Sequence, residues 1–182
     1  MQSPNSKLQL KSSHSRIYLI GMMGVGKTSK GKKIAQLLGY SFLDLDKEIE
    51  KQSKSTIQKI FEEKGEQYFR KLESEVLRSI EKNNIVIATG GGTPCYFENM
   101  SFIKNTGISI YLKAKTGLIL QRISRNTDKR PLLKGMETDQ IRSFIDQKIM
   151  EREPYYLESD LLFEIPSTSA ESIVESIIST NT

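Results

Sequence analysis

Five short, almost wholly apolar runs punctuate the chain, at 17–20, 41–43, 85–88, 108–112 and 161–165. Runs of that length without polar alternation predict strands covered on both faces, as in a parallel sheet. Between them, apolar positions recur at helical spacing. Ile34, Leu37 and Leu38 form a stripe closed by Gly39. Ser55-Thr56-Ile57-Gln58 reads as a capping box opening a helix that carries Ile57, Ile60 and Phe61. Leu72, Val76 and Ile80 repeat every fourth residue, as do Ile141, Ile145 and Ile149; Ile173, Val174, Ile177 and Ile178 close the chain. Strands alternating with helices predict a doubly wound α/β domain, three layers deep around a five-stranded parallel sheet.

Two segments break the rhythm. Residues 44–81 are almost entirely helical, too long for one plain crossover, and 126–139 (NTDKRPLLKGMETD) is a polar stretch with Pro131 and Gly135 that predicts a lid. Both fall at the carboxyl ends of strands, where α/β proteins bind ligands.

Composition narrows the classes. A chain of 182 residues suits a single domain, here 16–180, behind a flexible tail at 1–15. That tail is polar and acid-free, lacks the apolar core of a signal peptide, and contains the one histidine, His14; a mobile tail cannot hold a catalytic base. No apolar run approaches the ~20 residues that span a bilayer. The single cysteine, Cys95, forms no internal disulfide and suits a reducing compartment, the cytoplasm. Net charge is +5, but the basic residues are scattered without a block or interleaved aromatics, which argues against a nucleic-acid partner.

The strongest chemical signal is GMMGVGKT at 21–28, a full G-x-x-x-x-G-K-[ST] pattern between a strand and a helix. Its glycines let backbone N–H groups curl around a phosphate at the positive end of the helix. Lys27 would reach the β- and γ-phosphates, and the Thr28 hydroxyl would ligate Mg²⁺. The plain alternative is a glycine-rich turn with its lysine in solvent, and the strand-before, helix-after context disfavours it.

Nucleotide-hydrolysing P-loop proteins hold Mg²⁺ through an aspartate at a strand end. IVIATGGG (85–92) has no acid, whereas the second strand ends in Asp44-Leu45-Asp46. On an extended end, i and i+2 point the same way, so both carboxylates could face the phosphate loop, one toward metal and one toward an acceptor hydroxyl. The same pair could instead be the acidic start of a helix. Gly90, Gly91 and Gly92 would then bring bare backbone, with its N–H donors, up to a small ligand lying beside Asp46. A tight turn would need only one or two glycines.

GMMGVGKT, DLD, FRKLE (69–73), TGGGT (89–93), DKRPLL (128–133) and EREPYY (151–156) together resemble, in order and spacing, the shikimate kinases, over about residues 16–180. The resemblance implies a P-loop kinase fold with a helical substrate-binding region and a lid. It implies Mg²⁺-dependent transfer of the γ-phosphoryl group of ATP to the 3-hydroxyl of shikimate; a monomer is expected. It implies ATP contacts from Gly24, Val25, Gly26, Lys27, Thr28, Ser29 and Arg130, the last reaching from the lid to stabilise transition-state charge together with Lys27. Asp46 would bind shikimate hydroxyls and serve as base or orienter, Arg70 and Arg152 would clamp the carboxylate, Gly91 and Gly92 would meet the substrate through backbone, and Asp44 would hold the Mg²⁺ shell. Without the resemblance, each arginine would read as a solvated helix residue.

Ser29 departs from the second threonine of many members but keeps the hydroxyl. Either Arg122 or Arg125 would pack on adenine. Cys95, with no basic motif beside it in sequence, is expected to be a buried, inert thiol. Two alternatives remain: a gluconate or nucleoside kinase, which would not need the aspartate pair, the glycines and both arginines together, and a non-catalytic relative, which should have lost Lys27, Asp46 or a substrate arginine. None is lost.

Overall fold

The computed structural model describes residues 15–123 and 135–180. Of the sequence expectations, the tail with His14, most of the 126–139 lid, Arg125 and Arg130 lie outside the described residues.

Five strands, β1 (Arg16–Ile20), β2 (Ser41–Asp44), β3 (Ile85–Ala88), β4 (Ile108–Ala114) and β5 (Leu161–Ile165), form one parallel sheet in the order β2-β3-β1-β4-β5. Among the described residues, six α-helices lie between the strands, α1 (Lys27–Leu38), α2 (Leu45–Ser53), α3 (Ile57–Arg78), α4 (Asn99–Thr106), α5 (Thr116–Ile123) and α6 (Thr138–Tyr156), and α7 (Ala170–Ser179) follows β5.

The pleat of β1 divides the core. Ile17 and Leu19 join Ile34, Ala35 and Leu38 of α1 and Ile173 and Ile177 of α7 on one face. Tyr18 and Ile20 point the other way, toward Leu45 and Ile49 of α2, Phe69 and Leu77 of α3 and Tyr156 of α6. A third cluster packs Met22 against α5 and the start of α6. Strand ends and helix starts therefore converge at the carboxyl edge of β1, β2 and β3, beside the point where the chain order of the sheet reverses.

Several local expectations shift. The outer strands are not covered on both faces: Leu162 of β5 is 45% exposed, because only one side of this edge strand carries a helix. Leu37 is likewise exposed, and the buried stripe of α1 is Gly31, Ile34, Ala35 and Leu38. Helix α3 is capped one residue late, by Thr56, whose hydroxyl accepts the Lys59 N–H at 3.2 Å, while Gln58 turns aside to Glu62 at 2.8 Å. Ile80 falls beyond the end of α3. Within α3, Gly65 takes φ 78° and ψ 172° and kinks the helix, a conformation open mainly to glycine.

Candidate active site

The site grows from the loop between β1 and α1. Gly24 and Gly26 take φ of 78° and 104°, which side-chain-bearing residues rarely adopt, and Gly26 caps α1. Lys27 starts that helix, is buried, and folds back so that its ammonium donates to the carbonyls of Gly21 (2.6 Å) and Met22 (3.0 Å). The Arg122 guanidinium, from α5, donates to the Gly24 and Val25 carbonyls on the outside of the loop. Arg122 thus braces the phosphate loop and lines the cavity beside it; its partner in the sequence alternatives, Arg125, is not among the described residues.

Thr28, the second residue of α1, donates its hydroxyl to Asp44 at 2.7 Å. Asp44 ends β2 and also caps α2, accepting the Lys47 N–H. Asp46 does not continue the strand. It sits in the first turn of α2, so the two carboxylates are not brought together by strand alternation; the helix turn brings them to one cavity, which both line. The helix-start reading and the functional one describe the same residues.

Asp46 as a whole residue is exposed, but it lines the cavity, where the surrounding protein partly desolvates its carboxylate. Burial, then the negative charges of Glu73 and Asp44, raise its pKa to about 6, against the pull of Lys27 and Arg70.

Each of the three glycines faces a different side chain. A Cβ on Gly90 would lie 2.5 Å from a Glu73 carboxylate oxygen and 3.1 Å from one of Asp46; on Gly91, 3.3 Å from the Arg152 guanidinium; on Gly92, 2.7 Å from that of Arg70. The bare backbone thus makes room for the protein's own charged groups, which the sequence reading had credited to the ligand alone. Their N–H groups meet no acceptor among the described residues, and in buried Gly90 and Gly92 this marks a place where a ligand can bond.

Arg70 and Arg152 are 5% and 6% exposed. Arg70 donates to Glu66 (2.9 and 3.2 Å) and Glu73 (3.0 Å), and its charge sits over the rings of Phe69 and Tyr96. Glu73, fully buried, also accepts the Thr93 hydroxyl at 2.6 Å, so one carboxylate holds both Arg70 and the end of the glycine loop. Within FRKLE (69–73) the sequence assigns Glu73 no role by itself; its only signal is an acid three residues after a candidate arginine. Arg152 touches the Met22 sulfur at 3.9 Å. Cys95 has both Arg70 and Arg152 near it, brought from α3 and α6, contrary to the sequence expectation of no basic neighbour; burial nevertheless outweighs them and pushes the thiol up to about 11.

Two cavities result, of about 440 and 540 Å³. The first contains Arg70, Arg152 and Glu73 with an apolar wall of Ile57, Phe61 and Phe69. The second contains the phosphate loop, Thr28 and Asp44. Met23, Asp46 and Gly91 line both, so the cavities meet there. An anion-binding loop that abuts a small pocket holding two arginines can bring a phosphorylated donor up to a small acidic acceptor.

The family model described as shikimate kinase matches residues 23–182. The chain belongs to the shikimate kinase family. A shikimate kinase of Parabacteroides distasonis is 38% identical over 163 residues, covering 89% of this chain and 94% of that protein. One of Flavobacterium psychrophilum is 41% identical over 165 residues, covering 89% and 96%. Among solved structures, a shikimate kinase from Acinetobacter baumannii in complex with shikimate superposes with a TM-score of 0.83, at 37% identity and 93% coverage of each chain. As in shikimate kinases generally, the nucleotide substrate is ATP, and the parallel sheet and phosphate loop belong to the P-loop kinase fold.

Proposed function

We propose that this chain transfers the γ-phosphoryl group of ATP to the 3-hydroxyl of shikimate, giving shikimate 3-phosphate in the route to chorismate. The observation that carries the reading is Asp46 at the junction of the two cavities, with the phosphate loop on one side and paired arginines on the other.

The phosphates of ATP occupy the loop formed by Gly24, Val25, Gly26, Lys27, Thr28 and Ser29. Lys27 leaves the carbonyls of Gly21 and Met22 for the β- and γ-phosphates, which are better acceptors because they are charged. Thr28 and Asp44 offer a hydroxyl and a carboxylate already in contact, hard oxygen donors that suit Mg²⁺. When bound, Mg²⁺ neutralises charge on the β- and γ-phosphates.

Arg70 and Arg152 hold the shikimate carboxylate by charge-assisted hydrogen bonds, and the N–H groups of Gly91 and Gly92 meet the substrate's polar edge. Asp46 accepts the 3-hydroxyl proton as that oxygen bonds to the γ-phosphorus. The bond from γ-phosphorus to the β,γ-bridging oxygen breaks, and ADP leaves. A carboxylate with a pKa near 6 is ionised at neutral pH yet more basic than a free aspartate, as this step requires.

The enzyme works as a cytoplasmic monomer on this reading, without nucleic acid or membrane as partner. One cysteine suits a reducing compartment, one chain lines both cavities, and no described helix is long and apolar enough to cross a membrane.

ADP release from Mg·ATP, with and without shikimate and against a panel of sugar acids and nucleosides, tests the proposal. Turnover that depends on shikimate is expected. Turnover that follows gluconate or a nucleoside instead would overturn it.

A further inference from the structure

Tyr156 is the last residue of α6, one turn beyond Arg152, and it has no solvent exposure. Its ring packs against Tyr111 at a centroid distance of 5.1 Å. Its hydroxyl donates to the carbonyl of Gly91. Tyr156 does not line the acceptor cavity, whereas Gly91 and Gly92 do, so the hydroxyl approaches the glycine loop from behind.

We propose that Tyr156 is a positioning residue for the acceptor pocket, fixing the plane of the Gly91–Gly92 peptide so that the Gly92 N–H is presented to the substrate. This rests on the function proposed above. The peptide is trans, so its carbonyl and N–H point in opposite directions. Tying the Gly91 carbonyl to Tyr156 aims the Gly92 N–H away from Tyr156, toward the cavity. A peptide between two glycines has little steric preference of its own and can rotate between orientations. No other donor meets the Gly91 carbonyl among the described residues, and the buried Gly92 N–H meets no acceptor there. The same helix thereby supplies two functions one turn apart, Arg152 as a charge facing the cavity and Tyr156 as the anchor of the donor opposite.

The test is Tyr156→Phe, which keeps the ring contact with Tyr111 and removes the hydroxyl. With it go both the bond to Gly91 and the interaction with the Arg152 guanidinium, so the glycine amide signals decide between the two. The KM for shikimate is expected to rise about tenfold, the size of one lost hydrogen bond, while the KM for ATP and the thermal midpoint stay near wild type. Tyr111→Phe, which removes a hydroxyl that does not touch the loop, should change neither KM. In ¹⁵N–¹H spectra of the unliganded protein, the Gly91 and Gly92 amide signals should shift or double in Tyr156→Phe alone. An unchanged shikimate KM, or a rise in both KM values together with a fall in thermal midpoint, would overturn the positioning role. If wild type shows no shikimate-dependent turnover, the functional reading fails by itself, and unmoved glycine amide signals would then be what overturns the peptide-anchoring inference.

Discussion

A methyl group on Gly92 would sit 2.7 Å from the central carbon of the Arg70 guanidinium, closer than two such atoms can approach. Gly92 has φ −96° and ψ −12°, which alanine adopts freely, so the glycine is required for space alone. Gly92→Ala should therefore fold normally and displace Arg70. The kcat/KM for shikimate is expected to fall by at least tenfold with little change in the KM for ATP. Steady-state kinetics with each substrate varied in turn checks this.

Asp46 joins function and stability with opposite signs. Its pKa is raised from 3.8 to about 6, so the folded chain holds this proton more tightly than the unfolded chain does. The group is therefore neutral to the fold below about pH 4 and weakens it increasingly as pH rises through 6. Asp46→Asn should lose at least ~10²-fold in turnover while retaining ATP binding. It should also gain up to about 1 kcal/mol of stability at neutral pH, after allowing for the water that reaches the cavity. Turnover of the wild type should fall on acidification through about pH 6 as the carboxylate protonates. A pH–rate profile, a nucleotide titration and a melting curve of both proteins measure all of these.

Glu73 should behave differently when truncated and when neutralised. Glu73→Ala leaves buried Arg70 with only Glu66, which is half exposed, and strands the Thr93 hydroxyl; a loss of about 3 kcal/mol is expected in denaturant unfolding. Glu73→Gln keeps the shape and removes a charge that raises the Asp46 pKa. Its acid limb should move to lower pH than in wild type.

Arg152→Lys retains a positive charge but cannot form the planar two-point contact with a carboxylate. We expect the shikimate KM to rise about tenfold, and further in Arg152→Ala. An unchanged KM in both would mean that the arginine does not meet the carboxylate.

Asp44→Asn should keep the hydrogen bond from Thr28 and lose the negative charge beside it. The Mg²⁺ concentration giving half-maximal turnover should increase about tenfold, from the loss of one charged oxygen ligand. A Mg²⁺ titration at saturating ATP and shikimate measures it.

The phosphate loop was legible because it is contiguous: strand, glycines, Lys27 and Thr28 occupy consecutive positions, and their spacing alone specifies the geometry. The five strands were legible for the same local reason, apart from the edges, where an apolar residue such as Leu162 gives no sign that its helix cover is missing. Strand alternation would aim Asp46 at the phosphate loop, whereas it lines that cavity from the first turn of a helix, since a DLD segment reads equally as the end of a strand or the start of a helix. Glu73 and Tyr156 were not legible as parts of the site. Their partners, Thr93 and Gly91, lie 20 and 65 residues away, and only the packing of α3 and α6 around the glycine loop joins them.

Because the walls behind the three glycines are already filled by Glu73, Arg152 and Arg70, a compound designed to press against that strip would leave the protein few single-residue routes to resistance. An added side chain at Gly90 or Gly92 would displace Glu73 or Arg70, and one at Gly91 would press on Arg152, groups that the proposed acceptor site uses. Escape would require two coordinated changes, a bulkier loop residue and a smaller partner, and the intermediate carrying only one of them would be impaired.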